Sequence, residues 1–305
     1  MTDIIMLSGG LGSWMAGILR RRSHPQNDVQ LVFADTRYED ADLYRFLPQA
    51  AASILGLPCG EDEEPVRWPI RWAKDIPDKN SKERVLAIEL CQSSCREHLP
   101  QLNWLADGRT IWQVFRDARF LGNSRVDPCS KILKRQLIDK WRATWAVPET
   151  SVNIIGYGPE EGDRVDKAKR FWADKGWSVA FPCFEAGIQS YHIREELDRY
   201  DIRLPRLYEM GFEHNNCRGG CVKAGIGAFV SLFQQDRGVF DEWKQGEEEM
   251  RELVGQNVSI LTDRRGGERI PMTLATLQTR IESGEQFPTA KRFACGCFST
   301  DENQS

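Results

Sequence analysis

The opening of the chain alternates between two hydrophobic periods. Residues 3–7 (DIIML) and 29–34 (VQLVFA) are short apolar runs bounded by polar residues, which read as strands. Each is followed by a stretch with apolar positions three and four apart, 12–21 and 40–55, which reads as a helix. Residues 152–155 (VNII) and 179–181 predict two further strands, and 130–145 an amphipathic helix capped by Ser130 after Pro128. Residues 58–80 are charged and proline-punctuated and read as a surface excursion, while 82–105 is helical in pattern. From residue 190 the pattern is helical throughout, with loops at 211–220 and 262–270 and little periodicity over 287–305. The alternation predicts an α/β fold with a doubly wound, mostly parallel sheet. It divides the chain into an α/β domain over 1–189 and a smaller helical, cysteine-containing region over 190–305.

Composition narrows the setting. The chain has 305 residues and a net charge of −4, with both signs interspersed, so general basicity does not advertise a nucleic-acid partner. No basic segment precedes an apolar core near the N-terminus, and no apolar run approaches the about 20 residues of a membrane helix. A cytoplasmic protein without a membrane partner is expected. Nine cysteines, an odd number, argue against a disulfide framework and for metal or redox chemistry. Cys59, Cys91, Cys95 and Cys183 are scattered and read as ordinary buried thiols.

In an open parallel sheet, ligands sit beyond the carboxyl ends of the strands. The first strand runs into Ser8-Gly9-Gly10-Leu11-Gly12-Ser13, a glycine-rich turn opening a helix, where backbone amides can cradle a phosphate. It lacks the lysine of the Walker loop and the G-x-G-x-x-G spacing. The second strand ends in Asp35-Thr36-Arg37, where Asp35 is a candidate for a ribose hydroxyl or a magnesium ion. Another ends in Gly156-Tyr157-Gly158 and Glu160-Glu161-Gly162-Asp163-Arg164. Each alone is also what an ordinary turn looks like; together, at successive strand ends, they point to a nucleotide.

The motifs also resemble a family. "SGGLGS" resembles the pyrophosphate (PP) loop of the adenine nucleotide alpha hydrolase superfamily. "FADTRYEDADLYRFL", "PCSKILKRQL", "EEGDR" and "NNCRGGCVKAG" are similar, in that order, to elements of its phosphoadenosine phosphosulfate (PAPS) reductase-like branch in phages and bacteria. Arg37 stands where those reductases usually have glycine, and Gly12 where many relatives have aspartate. The resemblance implies a HUP-type fold and cleavage of ATP, or a related adenine nucleotide, at the α phosphate with release of pyrophosphate. Loop amides, the Ser8 and Ser13 hydroxyls, Mg2+ and remote cations would stabilise that leaving group. Lys131, Lys134 and Arg164 are the candidate cations, with Gly156 and Glu161 beside the nucleotide.

Cys217-Arg218-Gly219-Gly220-Cys221 and Cys295-Gly296-Cys297 are two glycine-containing pairs, and Cys129 is a fifth thiol. Four thiolates suit zinc or an iron–sulfur cluster. The resemblance tilts the choice to a 4Fe–4S cluster on Cys129, Cys217 and Cys221. Cys295 is then a catalytic nucleophile with Cys297 as ligand, or both ligate metal. His214 is the one histidine placed for a ligand role. Three functions follow: sulfur transfer after adenylation, with a cysteine desulfurase or other donor and a nucleic acid among the acceptors; a thiol-dependent PAPS or adenosine phosphosulfate reductase releasing sulfite; and a metal-stabilised nucleotide-binding protein without turnover. The tail lacks the reductases' histidine, which favours the first.

Overall fold

A computed structural model describes residues 1–287 except 80, 124, 256, 257 and 266. The first half follows the predicted alternation: β1 (Thr2–Leu7), α1 (Leu11–Ser23), β2 (Asp28–Asp35), α2 (Ala41–Leu55), α3 (Arg67–Lys74), α4 (Lys82–His98), β3 (Leu102–Ala106) and α5 (Ile111–Ala118). Then come α6 (Pro128–Ser130), a π-turn at Lys131–Arg135, α7 (Gln136–Ala143), β4 (Ser151–Ile154), α8 (Gly162–Asp174), β5 (Ser178–Ala180) and α9 (Pro182–Glu185). Beyond lie α10 (Ser190–Arg199), α11 (Arg206–Glu209), α12 (Ile226–Gln235), α13 (Arg237–Val254), the hairpin β6 (Leu261–Asp263) and β7 (Ile270–Met272), and α14 (Leu274–Glu282).

Strands β1 to β5 form one sheet in the order β3-β2-β1-β4-β5, with every pairing parallel. It is an α/β sheet flanked by helices, compatible with a Rossmann-like fold. Strand periodicity explains why both faces are covered. Ile5, Leu7, Leu31 and Phe33 pack with α1, α2 and α4, whereas Ile4, Met6, Val32 and Ala34 pack with α7 and α8.

A third core ignores the expected break at residue 189. Trp112 and Phe115 of α5 and Leu133 of the π-turn share it with Phe229, Phe240 and Trp243 of the C-terminal helices. Conversely, Leu197 and Ile202 pack into the core of the sheet domain.

Several local expectations change. Residues 102–106 are not helical: α4 stops before Pro100, and LNWLA pairs with β2 from Leu31↔Leu102 to Asp35↔Ala106. The 58–80 excursion contains α3 and buries Val66, Ile70, Ala73 and Ile76. Ser130 is not a cap but a buried residue inside a helix that begins at Pro128, whose missing N–H suits that first position. The expected 262–270 loop belongs to the β6–β7 hairpin. Among the described residues no helix is long and apolar enough to cross a membrane.

Candidate functional site

The strand order reverses direction at β1, between β2 and β4, and a cleft of about 490 Å3 opens at that point. Its floor is the loop after β1 and the chain after β4, represented by Ser8, Gly10–Ser13 and Ile155–Gly158. The two segments nearly touch. A Cβ on Gly156 would overlap the Gly12 carbonyl and lie 2.5 Å from Ser13 N, and one on Gly12 would lie 2.8 Å from Gly156 O. Backbone crosses backbone here, so neither position accepts a side chain. That is a physical reason for glycine, not aspartate, at position 12.

The loop is shaped from within. The Ser13 hydroxyl donates to Gly10 O at 2.8 Å and accepts from Ser8 N at 3.1 Å, while the Ser8 hydroxyl accepts from Gly10 N at 3.3 Å. Gly9 carries φ +77°, a value glycine adopts without strain. Gly10 caps α1 without any side-chain hydrogen bond, and the first turn holds no acidic residue while the last holds Arg20, Arg21 and Arg22. The positive end of the helix therefore faces the cleft uncompensated by protein carboxylates of its own first turn.

Charged groups line the walls. Arg164 on α8 pairs with Glu161 and lies with Cζ 4.3 Å over the Tyr157 ring. Glu160 and Arg194 also line the cleft. Cys183, a buried thiol as expected, donates to Gly12 O at 3.5 Å, and burial pushes its pKa up to about 12. The C-terminal half supplies the roof. Tyr208 Oη accepts from Leu11 N at 3.2 Å, and Asn215 Nδ2 donates to Gly9 O at 2.9 Å. Asn215 Oδ1 is buried without a hydrogen-bond partner among the described residues.

Asp35, Thr36 and Arg37 are not part of this lining. Asp35 is fully buried, accepts from Arg37 N, Tyr44 Oη and Trp104 Nε1 at 2.8, 2.9 and 3.2 Å, and has its pKa raised chiefly by that burial. Arg37 adopts φ +57°, in the left-handed region that glycine enters without strain. The segment instead builds a buried junction around Glu39. Its carboxylate accepts from Thr36 Oγ1 at 3.0 Å, Lys134 Nζ at 3.1 Å and Cys217 N at 2.7 Å. Lys134 is thus directed at Glu39 and not at the cleft, and Lys131 is exposed; neither lines the cleft. A π-turn, which widens the helix at Lys131–Arg135, carries both. His214 lines the cleft beside this junction, and burial pushes its pKa down to about 4 against the opposing pull of Glu39.

Cys129, Cys217 and Cys221 come from distant segments yet pack against the same C-terminal core. Cys217 and Arg218 hold φ of 50° and 55°, a strained pair for residues with side chains. Cys221 Sγ accepts from Lys223 N at 3.4 Å. The turn's glycine at 220 also has a packing reason, since a Cβ there would run into Trp243. Among the described residues no three His, Cys, Asp or Glu side chains are grouped as metal ligands. Cys295 and Cys297 lie outside the described residues.

Sequence reasoning missed Tyr208, Arg194 and Asn215 in the cleft and Glu39 at the junction. Asn215 and Glu39 sat inside motifs already singled out; Tyr208 and Arg194 carry no local signal. Compared with protein-family models, curated proteins and solved structures, the chain matches none.

Proposed function

We propose that the chain is a PP-loop adenine nucleotide alpha hydrolase of the HUP type, similar to the PAPS reductase-like branch. In this reading it binds ATP or a related adenine nucleotide in the β1–β4 cleft and cleaves it at the α phosphate to activate a substrate for sulfur transfer. The observation that carries the reading is the glycine-rich loop at the positive end of α1, which opens on a cleft at the sheet's switch point with Arg164 and Arg194 in its lining. The cleft volume falls in the range of small-molecule sites, and the orphaned Asn215 Oδ1 is an acceptor suited to a ribose hydroxyl or adenine amino group.

The roles then divide by position. Loop amides and the two arginines stabilise charge developing on the pyrophosphate leaving group. Glu160, with Glu161 if it gives up Arg164 and Gly158 N, would hold Mg2+, which when bound would neutralise phosphate charge; Asp35, enclosed by three donors and outside the cleft, does not fit that task. Cys129, Cys217 and Cys221, with a tail cysteine, are a donor set suited to a 4Fe–4S cluster or zinc. That centre would supply a cross-link between α6 and the C-terminal helices, and a cluster would add redox chemistry. The sulfur donor would be a desulfurase or similar partner, and the acceptor a nucleic acid.

Titration of Mg–ATP against the wild type and a Ser8→Ala/Ser13→Ala variant of unchanged fold tests the site. Weakened binding in the variant, and AMP with pyrophosphate as products, are expected. Equal affinity, or ADP with orthophosphate, removes the proposal. Binding without turnover would leave the nucleotide-binding reading, and sulfite released from PAPS and lost in Cys295→Ser would make the protein a reductase.

A further inference from the structure

A second concavity, of about 520 Å3, lies between the stretch 119–123 with Arg125, the end of α13 and the β6–β7 hairpin. Leu121, Val254, Val258 and Pro271 give it apolar walls, and Phe120 remains 39% exposed at its edge. Arg119, Arg125, Arg264 and Arg269 supply cations, all four exposed, and among the described residues no acidic side chain is part of the lining. Among the described residues none of the four has a carboxylate partner. Arginines just outside the groove behave differently: Arg265 and Arg280 both pair with Asp263 and Glu285, Arg251 with Glu248 and Arg116 with Glu249. The chain carries a net charge of −4, so this local excess is not a by-product of general basicity.

Like-charged side chains crowd together at a cost unless an anion sits among them. A small inorganic anion would use the arginines and waste the apolar walls. A base paired in a duplex is already stacked and cannot reach Phe120. An unstacked base on an aromatic and aliphatic floor, with its flanking phosphates at an arginine rim, uses both features. We propose that this groove binds single-stranded nucleic acid. Behind this wall a Cβ on Gly122 would lie 3.0 Å from Val222 Cγ2, the residue after Cys221 in the chain. The inference rests on the groove's own residues, not on the reading of the cleft.

The test uses the full chain, a fluorescein-labelled oligothymidylate and inorganic polyphosphate as a base-free polyanion. The wild type should bind the oligonucleotide more tightly than polyphosphate of equal charge. Arg264→Gln/Arg269→Gln should reduce the slope of log K against log salt by about 1.4, because each phosphate neutralised on a single strand contributes about 0.7. Phe120→Ala should weaken oligonucleotide binding by about tenfold and leave polyphosphate binding unchanged. Unchanged thermal midpoints and Mg–ATP affinity would place these effects in the groove. Binding equal in the wild type and the arginine variant, or polyphosphate bound as tightly as the oligonucleotide with no effect of Phe120→Ala, would overturn the inference. A chain that takes oligothymidylate by these rules but no ATP would leave it standing and remove the reading of the cleft.

Discussion

The β1–β4 cleft and the Glu39 junction are joined by one short segment, residues 214–217, but are built from opposite materials. The cleft floor is backbone: glycines at 12 and 156 bring two loops into contact, and its donors are main-chain amides. The junction is side chain: a buried carboxylate collects Lys134, Thr36 and the Cys217 amide. A floor made of crossing backbone fails when a side chain is added to it. A site made of buried charge fails when either partner is removed, because the survivor is left desolvated.

The largest effect should come from breaking the junction. Lys134→Met leaves Glu39 buried beside Thr36 and Cys217 and should destabilise the protein by about 3–5 kcal/mol in urea unfolding. Adding Glu39→Gln should recover a large part of that stability, and additive single effects in the double-mutant cycle would show that the pair is not coupled.

Gly156→Ala attacks the cleft by addition. The new methyl meets backbone on both sides, so a destabilisation of about 1–3 kcal/mol is expected, with nucleotide binding abolished. Full ATP affinity in this variant would mean that the two loops do not need to touch.

Protons act in opposite senses on the segment that joins cleft to junction and on the C-terminal core. His214 has a folded pKa of about 4, below its usual value, so its contribution is complete above about pH 6.5 and is lost as pH falls toward 4. Glu247 accepts from Ile260 N and Leu274 N within the C-terminal core, and burial raises its pKa to about 7. Its ionisation therefore costs stability as pH rises from about 4.5 to 7. The two slopes oppose one another over most of one window, each at most about 1.4 kcal/mol per pH unit. Thermal midpoints of His214→Gln should fall with pH between 5 and 6.5 relative to the wild type, and those of Glu247→Gln should rise. Parallel profiles in all three proteins would refute both assignments.

The smallest effect is expected at the roof. Tyr208→Phe removes the hydroxyl that occupies Leu11 N, changing stability by less than about 1 kcal/mol. If phosphate takes that amide, Mg–ATP should bind two- to fivefold more tightly, by roughly the free energy of one net hydrogen bond. A tenfold weaker affinity would instead make Tyr208 a ligand contact.

Much of the sheet domain was legible in one dimension because its signals are local. The short apolar runs IIML and VQLVFA, bounded by polar residues, read as buried strands, the 3.6 period after them reads as helices, and Ser8–Ser13 announces a glycine-rich turn that opens a helix without reference to the rest of the chain. β3 was hidden because LNWLA follows a helix with no glycine-rich signal, and its pairing with β2 joins segments far apart in the chain. The same limit governs the sites. Sheet order sets both β2 and β4 beside β1, and it is the packing of the loops that opens the chain after β4 on the β1 loop and seals the chain after β2. That packing enclosed Asp35, turned Lys134 toward Glu39 and left Arg164 in the cleft, although all three had been candidates. Tyr208 and Asn215 reach the loop across separations of 197 and 206 residues, and no periodicity or turn residue encodes such a contact. Hydrophobic pattern specifies what each segment becomes; burial and hydrogen bonding between distant segments decide which polar side chains are sealed away and which are left facing a ligand.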